Sequence, residues 1–334
     1  MHNSINLSLT REKKDLMNIY ANILKFIKLQ GLLIAFSIFL IFVAFNSKVF
    51  LSSENILTVL RQVSITGIMA LGVTCVVICG RLDLSVGSLL SLLTIMVVDL
   101  TNKVGPGMAL VITIITGVLI GCINGGLVGF LGLNALIVTL AMLSIIQGFA
   151  LVYSGGNNVN VLDWDTWFAF FGREYILGVP VPVWLFLGGA GVFWFILERT
   201  TFGRKIFAIG DNEMASKFSG INQRLIIFSS FVISGLTTAI AAIVMGSRVM
   251  GAQSTLGQGY ELTVLAGVIL GGTSLTGGKG GIFRTVAGIT MLGFIQNALL
   301  LLGYPYYAQW LVTWVIIILV VWLDLAGKRG RVFA

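Results

Sequence analysis

The chain has 334 residues, of which 57% are hydrophobic and only 10% charged, and its formal net charge is +8. Soluble domains carry about 25% charged residues, so this composition excludes an ordinary soluble protein and indicates one whose solvent is the bilayer. The positive charge reflects the excess of Lys and Arg in cytoplasmic loops of membrane proteins and indicates no nucleic-acid partner. His2 is the only histidine, so we expect neither histidine catalysis nor a histidine-ligated metal.

Both ends of the chain differ from its apolar centre. Residues 1–28 form a predicted cytoplasmic lead, in which the helical spacing of apolar residues over 11–28 predicts an amphipathic helix at the membrane interface. A merely solvated lead is the alternative. Residues 29–327 form the predicted membrane domain, and 328–334 a basic cytoplasmic tail.

The apolar runs predict an all-α, polytopic membrane protein with about ten spans, since a helix needs about 20 residues to cross the bilayer. These spans are 31–46, 63–79, 84–99, 108–131, 134–153, 181–197, 225–247, 261–274, 282–302 and 308–324. The third and eighth are short and adjoin glycine-rich turns, which is typical of half-helices that line a cavity.

The distribution of Lys and Arg predicts that both termini are cytoplasmic, which places the 154–180 loop outside. That loop is rich in Asn, Asp and Trp, residue types that bind sugars. The alternative is a surface loop in which Trp167 and Phe168 anchor at the membrane interface.

The segment 200–222 is polar and basic between two apolar spans. It must face water, and its charge indicates the cytoplasm. Asp211 or Asn212 can cap a short helix that ends at Gly220. We therefore expect this segment to dock a cytoplasmic partner; a plain charged connector is the alternative.

Two groups of residues invite other assignments that the sequence does not support. The glycine-rich run at 270–281 is no phosphate loop, because Thr273 and Gly280 stand where that pattern needs Gly and Ser or Thr. The three cysteines lie in apolar segments without nearby metal-ligating residues, so we expect them to pack between helices: Cys75, Cys79 and Cys122.

Seven ordered motifs resemble the permease subunits of bacterial ATP-binding-cassette importers for ribose, arabinose, xylose and galactose. They read DLSVGS at 83–88, NALIVTL at 134–140, TFGRKIFAIG at 201–210, SGIN at 219–222, SGL at 234–236, GYEL at 259–262 and GVILGGTSLTGGKG at 267–280. The resemblance covers roughly residues 30–325. It breaks at Arg81, where the family has a small, neutral or acidic residue, and for which Asp83 is a candidate partner.

The resemblance implies a monosaccharide permease of the bacterial inner membrane, working as a dimer with a second copy or a paralogue. It also implies a cytoplasmic ATP-binding subunit, which holds ATP and Mg²⁺, and an extracytoplasmic sugar-binding protein. This chain itself is then no enzyme and holds no cofactor. The residues expected to couple it to the ATPase are Phe202, Gly203, Gly210, Ala215, Ser216 and Gly220. Substitution of Gly210 or Ala215 is expected to disturb docking while sparing transmembrane contacts.

Turn residues near the short spans are candidates for the gate: Asp83, Ser85, Gly87, Gly259, Glu261, Gly271, Gly272, Gly277 and Gly278. We expect Asp83, near the cytoplasmic mouth, to cap the helix that follows it, and Glu261 to cap a half-helix or hold a turn. The candidates for lining the pathway are uncharged amides, with hydrogen bonding between helices as the alternative: Asn124, Asn134, Gln147, Gln296 and Asn297.

Two other functions fit the composition less well. An ion-coupled secondary carrier explains the spans and half-helices equally, but it needs central acidic residues that the sequence does not clearly provide. A membrane enzyme needs convergent nucleophiles, acids and bases, which the inventory lacks.

Overall fold

The computed structural model describes residues 36–305, 307–312, 314–315 and 318. The predicted interfacial helix at 11–28 and the basic tail at 328–334 lie outside these residues. The described chain is mostly helical with almost no sheet, which confirms the all-α polytopic class.

The helices follow one another in chain order, connected mostly by short turns. They are α1 Phe36–Asn46, α2 Ser53–Ile78, α3 Val86–Val104, α4 Pro106–Gly125, α5 Ala135–Ser154, α6 Phe170–Arg173, α7 Val181–Arg199, α8 Thr201–Asp211, α9 Glu213–Phe218, α10 Gln223–Val249, α11 Tyr260–Leu270 and α12 Ile282–Leu301. A π-helical turn, Gly126–Phe130, extends α4, and a 3-10 turn, Trp167–Ala169, precedes α6. Residues 307–312 and 314–315 are also helical.

Within the described residues, seven helices are long and apolar enough to cross a membrane, and α1 and α11 are shorter apolar helices. Nine of the ten predicted spans therefore coincide with a helix, and the tenth lies largely outside the described residues. The prediction of a short helix is right for α11 but wrong for α3, which has 19 residues. The apolar run stops at Asp99, yet the helix continues to Val104, and its last turn is supported by an ion pair between Asp99 and Lys103 at 2.8 Å.

The core of the bundle is built around α10, which packs against α4, α2 and α3. The contact with α4 is a seam of four glycines, Gly117, Gly121, Gly125 and Gly129, spaced one helical turn apart. A Cβ added at any of them would lie 2.6–2.8 Å from a backbone oxygen of α10. Small residues let two backbones approach this closely, as is common between membrane helices.

The opposite face of α4 carries large apolar side chains that no other part of the described chain covers. Val111, Ile115 and Leu119 repeat at four-residue spacing and are each about half exposed. The helix therefore presents glycine to α10 and branched apolar side chains outward, as expected for a helix between protein and lipid.

The loop over residues 155–180 is folded onto the bundle. Its first strand, β1 Val159–Asn160, pairs antiparallel with β4 Gly251–Ala252, and β2 Tyr175–Ile176 pairs with β3 Val179–Pro180. Phe168 is fully buried, and its carbonyl accepts a hydrogen bond from Ser247 Oγ at 2.5 Å. Phe168 is therefore no interface anchor, although Trp167 remains exposed.

Candidate functional site

A short irregular segment, residues 80–85, connects α2 to α3 inside the bundle. Its centre is Asp83, a buried carboxylate. One carboxylate oxygen accepts hydrogen bonds from the backbone N–H of Ser85 at 3.1 Å and from Ser85 Oγ at 2.6 Å; the other accepts from Ser234 Oγ at 2.8 Å. Each buried oxygen is therefore paired, as a charge away from water requires.

Asp83 lies deeper than its predicted place near the mouth of the protein. Its partner Ser234 is about 16 Å along α10 from the first residue of that helix, at 1.5 Å per residue. Nor does Asp83 bond the backbone of α3 itself: it bonds Ser85, the residue before the helix. The carboxylate thus ties the 80–85 segment to α10 instead of capping α3.

Asn124 extends this network to α4. Its Nδ2 donates to Ser85 Oγ at 2.8 Å, and the side chain is buried. In this conformation the Asn124 side chain is buried and hydrogen-bonded, and its place in a pathway wall stays a prediction. The alternative, hydrogen bonding between elements, is what the structure has.

A junction of glycines joins three distant parts of the chain next to this segment. The N–H of Gly278 donates to the carbonyl of Ile78, at the end of α2, at 2.9 Å. A Cβ on Gly277 would lie 2.9 Å from the Cα atoms of both Gly80 and Gly210. Since Gly277 has a φ of +84°, it also needs the left-handed conformation that glycine adopts freely. The end of α2, the end of α8 and the 271–281 loop therefore touch through their backbones.

The predicted coupling residues divide into an inner and an outer set. Gly203 is buried against Leu197, Gly210 lies in the glycine junction, and Ser216 is 3% exposed. The expectation that a side chain at Gly210 would spare the bundle is wrong, because it would meet backbone atoms of α2 and of the 271–281 loop.

The remaining coupling candidates lie nearer the surface. Phe202 is partly buried against the core, whereas Ala215 and Gly220 are exposed. Asn212 caps α9 as predicted, accepting a hydrogen bond from the N–H of Ala215 at 2.9 Å. Gly220 follows with a φ of +76°, which suits the end of a helix.

The two most exposed apolar side chains of α9 are not among the predicted coupling residues. Met214 is 65% exposed and Phe218 is 86% exposed. Four residues apart, they lie on one face of the helix. The signal was available: two large apolar residues at helical spacing in an otherwise polar segment.

An ion pair joins α9 to the 80–85 segment. Arg81 Nη2 lies 2.7 Å from Glu213 Oε1. The suggested pairing of Arg81 with Asp83 is therefore wrong; Asp83 is satisfied by hydroxyl and amide donors. On its other side α9 is held by Gln223, whose Nε2 donates to the carbonyl of Glu213 and, at 2.6 Å, to Ser216 Oγ.

The start of α11 packs against the start of α3. Both carboxylate oxygens of Glu261 accept from the N–H of Gly259, at 3.2 and 3.1 Å, which satisfies the residue preceding the helix as predicted. A Cβ on Gly87 would lie 2.8 Å from the carbonyl oxygen of Gly257. Gly257 in turn donates to Ser91 Oγ at 2.8 Å. At the other end of α11, Gly271 packs on α12, and Gly272 has a φ of +89°.

The other predicted pathway residues have separate places. Asn134 caps α5 and borders a cavity of 560 Å³ that Arg81, Glu213 and Arg224 also line. Gln296 borders a second cavity, of 450 Å³. Gln147 and Asn297 each bond another part of the chain. Gln147 Nε2 donates to the carbonyl of Ser254 at 2.7 Å, and Asn297 exchanges two 2.9 Å hydrogen bonds with Asn55.

The described residues contain no cluster of three His, Cys, Asp or Glu side chains that could hold a metal ion. Cys75 and Cys79 are buried in the core, and Cys122 is partly buried.

Comparison with known proteins places the chain in a family. Residues 55–321 match the family described as branched-chain amino acid transport system / permease component. No solved structure matches the chain significantly.

Curated relatives are similar over most of their length. The chain is 38% identical to the ribose import permease protein of Bacillus subtilis over 86% of this chain and 89% of the relative. It is 37% identical to the L-arabinose transport system permease protein of Escherichia coli, covering 90% and 92%, and 36% identical to the D-allose transport system permease protein of the same organism, covering 85% and 87%. The chain therefore belongs to the branched-chain amino acid transport system / permease component family, among relatives that import monosaccharides.

Proposed function

We propose that this chain is the membrane permease of an ATP-driven monosaccharide importer in a bacterial inner membrane. Two copies, or one copy and a paralogue, form the membrane dimer. The names of the relatives, which import ribose, arabinose and allose, support the substrate class. The observation that carries the mechanism is the physical connection from the exposed apolar pair on α9 to the buried Asp83.

The ATP-binding subunit docks on α9 from the cytoplasm. Met214 and Phe218 enter an apolar groove on that subunit, because large exposed apolar side chains on a polar segment are typical of interfaces. ATP and Mg²⁺ are bound by the partner, and this chain receives only the motion. An extracytoplasmic sugar-binding protein delivers the solute to the opposite end, where the 155–180 loop presents exposed polar and aromatic side chains.

Motion of α9 reaches the membrane interior by two routes. The first is the ion pair between Glu213 and Arg81, which pulls on the 80–85 segment. The second is the glycine junction, in which the end of α8 contacts the 271–281 loop. Both routes lead to the 80–85 segment, which the Asp83 network holds against α10: Arg81 belongs to this segment, and Gly277 of the 271–281 loop packs against its first residue, Gly80. Displacement of α9 therefore biases the position of that segment.

Replacement of the α9 apolar pair tests the docking surface. Met214→Asp with Phe218→Asp removes the apolar contact and adds charge, while neither side chain packs in the bundle. We expect at least about a tenfold loss of co-purifying ATP-binding subunit, since such anchors contribute about 2 kcal/mol or more each. The amount of permease in the membrane should stay the same.

Lys205→Ala is the matched control, because this exposed residue of α8 lies on the same end of the protein outside the apolar pair. It should retain the ATP-binding subunit at the unaltered level. Full retention of that subunit by the double variant contradicts the docking assignment.

A further inference from the structure

The cavity of 450 Å³ lies away from α8 and α9, between α2, the turn before α11, α11 itself, α12 and three residues of the helical segments that follow, Gln309, Trp310 and Trp314. Helix α12 crosses α2 where a Cβ on Gly293 would meet Val63. This crossing brings the two helices close enough for their side chains to share one cavity. Polar side chains from five parts of the chain converge there: Gln62, Thr66, Gln258, Thr263, Gln296 and Gln309.

These amides lie at depths where lipid contact is costly. Gln62 is exposed on α2, about 13 Å from the start of that helix, and Gln296 is partly exposed well inside α12. An amide without a hydrogen-bond partner in hydrocarbon costs several kcal/mol. This face of the bundle therefore borders water or a polar ligand when the protein is in the membrane.

The lining has the chemistry of a carbohydrate site. Amides and hydroxyls donate and accept hydrogen bonds, as sugar hydroxyl groups require. The indoles of Trp310 and Trp314, the latter 40% exposed, offer flat apolar surfaces, and the floor is apolar at Leu262 and Leu292. A volume of 450 Å³ falls within the range of about 300–1,000 Å³ typical of small-molecule sites.

The charges in the cavity argue against an amino acid. Among the described residues that line it, none is basic, so the carboxylate of an amino acid would find no cation. The carboxylate present, Glu261, accepts one shared hydrogen bond from the N–H of Gly259, so it offers a partner to an ammonium group but none to a carboxylate. A neutral, polyhydroxylated molecule meets no such mismatch.

We infer that this cavity contacts the transported solute directly and takes a neutral monosaccharide, with Gln62, Gln258 and Gln296 bonding its hydroxyl groups and Trp314 stacking on its ring. The inference rests on the proposed function and gives it a site within this chain.

The experiment uses the complete importer, with its ATP-binding subunit and sugar-binding protein, in proteoliposomes. Uptake of radiolabelled D-ribose, L-arabinose, D-allose and L-leucine is measured beside the amount of ATP-binding subunit that co-purifies with the permease. Gln296→Leu and Trp314→Ala should lower uptake of the transported sugar about tenfold, the loss expected from about 1.4 kcal/mol. The amount of co-purifying ATP-binding subunit should stay within about twofold, because neither residue belongs to the docking surface.

Gln258→Ala and Gln253→Ala form a matched pair in one turn. Both glutamines are exposed, but only Gln258 lines the cavity. Uptake should fall with Gln258→Ala and stay unchanged with Gln253→Ala. Unaltered sugar uptake in Gln296→Leu, Trp314→Ala and Gln258→Ala overturns the inference, as does uptake of L-leucine by the unaltered importer.

A second readout separates failure of the site from failure of the proposed function. In a background with its cysteines replaced, Gln296→Cys should react with a small, charged methanethiosulfonate, and the reaction should stop uptake. If the unaltered importer takes up none of the three sugars, the proposed function is wrong for them. Lack of reaction at position 296 instead shows that the cavity is closed to water and overturns the inference alone.

Discussion

Asp83, in the segment between α2 and α3, is a buried carboxylate that accepts three hydrogen bonds. Among the described residues Asp83 has no cationic partner; its donors are one backbone N–H and the hydroxyls of Ser85 and Ser234. Hydrogen bonds to a charged group contribute about 1.5–3 kcal/mol each. We therefore expect the three bonds together to hold the 80–85 segment in place, and the loss of one bond to shift its position.

Substitution of Asp83 should give a graded loss of transport. Asp83→Asn keeps an acceptor for Ser85 and can donate to the hydroxyl of Ser234, so uptake should fall only a few-fold. Asp83→Leu leaves these partners without an acceptor, at about 1–3 kcal/mol for each buried group, and uptake should fall more than about tenfold. Both variants should reach the membrane at normal levels, as checked by immunoblot of membrane fractions.

Ser234→Ala removes one of the bonds and leaves the carboxylate in place, so its uptake should lie between the unaltered protein and Asp83→Leu. Equal, unaltered uptake in Asp83→Asn and Asp83→Leu would mean that the segment is a passive connector.

For single residues, the sequence identifies candidate site positions more reliably than it identifies the residues that those positions contact. Asp83 and Glu261 stand out because charge inside an apolar region is costly. Their partners come from elements brought together only by folding, as when Arg81 meets Glu213, 132 residues away. The inward direction of Ser216 depends in the same way on Gln223 and on the packing of α10.

The long helices are the most predictable elements, because each must be apolar for about 20 residues. The predicted helix ends are wrong where polar residues are paired within the structure. Helix α3, for example, extends past Asp99, which bonds both Lys103 and Tyr153 Oη. The sequence shows the seam of α4 as glycine at every fourth position, but it does not show that α10 is the helix that packs against it.

The seam gives a matched test at two adjacent residues. A Cβ on Gly125 would lie 2.7 Å from the carbonyl oxygen of Phe228, whereas a Cβ on Gly126 meets nothing within 4 Å. Gly125→Ala should destabilise the protein by about 1–3 kcal/mol, the usual cost of overpacking. Gly126→Ala should have no such effect.

The measurement is thermal unfolding of both variants in detergent. The outcome that contradicts the seam is an equal melting temperature for Gly125→Ala and the unaltered protein.

At the scale of the whole molecule, the direction of the bundle in the membrane is the main prediction. The distribution of basic residues predicts that α9 is cytoplasmic and the 155–180 loop is outside. In a background with Cys75, Cys79 and Cys122 replaced, Asn158→Cys should react with a membrane-impermeant thiol reagent added to intact, outer-membrane-permeabilised cells. Lys217→Cys should react only after lysis.

Both positions are exposed on the folded chain, so each should react once the reagent reaches it. Labelling of position 217 in intact cells, with position 158 protected, would reverse the orientation and remove the cytoplasmic docking site.

The uneven burial of the helices has a consequence for how the chain enters the membrane during synthesis. Helix α3 is among the least apolar of the long helices and the most deeply buried. Its neighbour α10 begins more than a hundred residues later, which at about 5–20 residues per second takes on the order of ten seconds to make. During that interval α3 must remain in the bilayer without its main cover. Thr94 and Thr101 donate hydrogen bonds to carbonyls of their own helix, at 2.7 and 2.6 Å. These two hydroxyls therefore have hydrogen-bond acceptors within α3 before α10 is made.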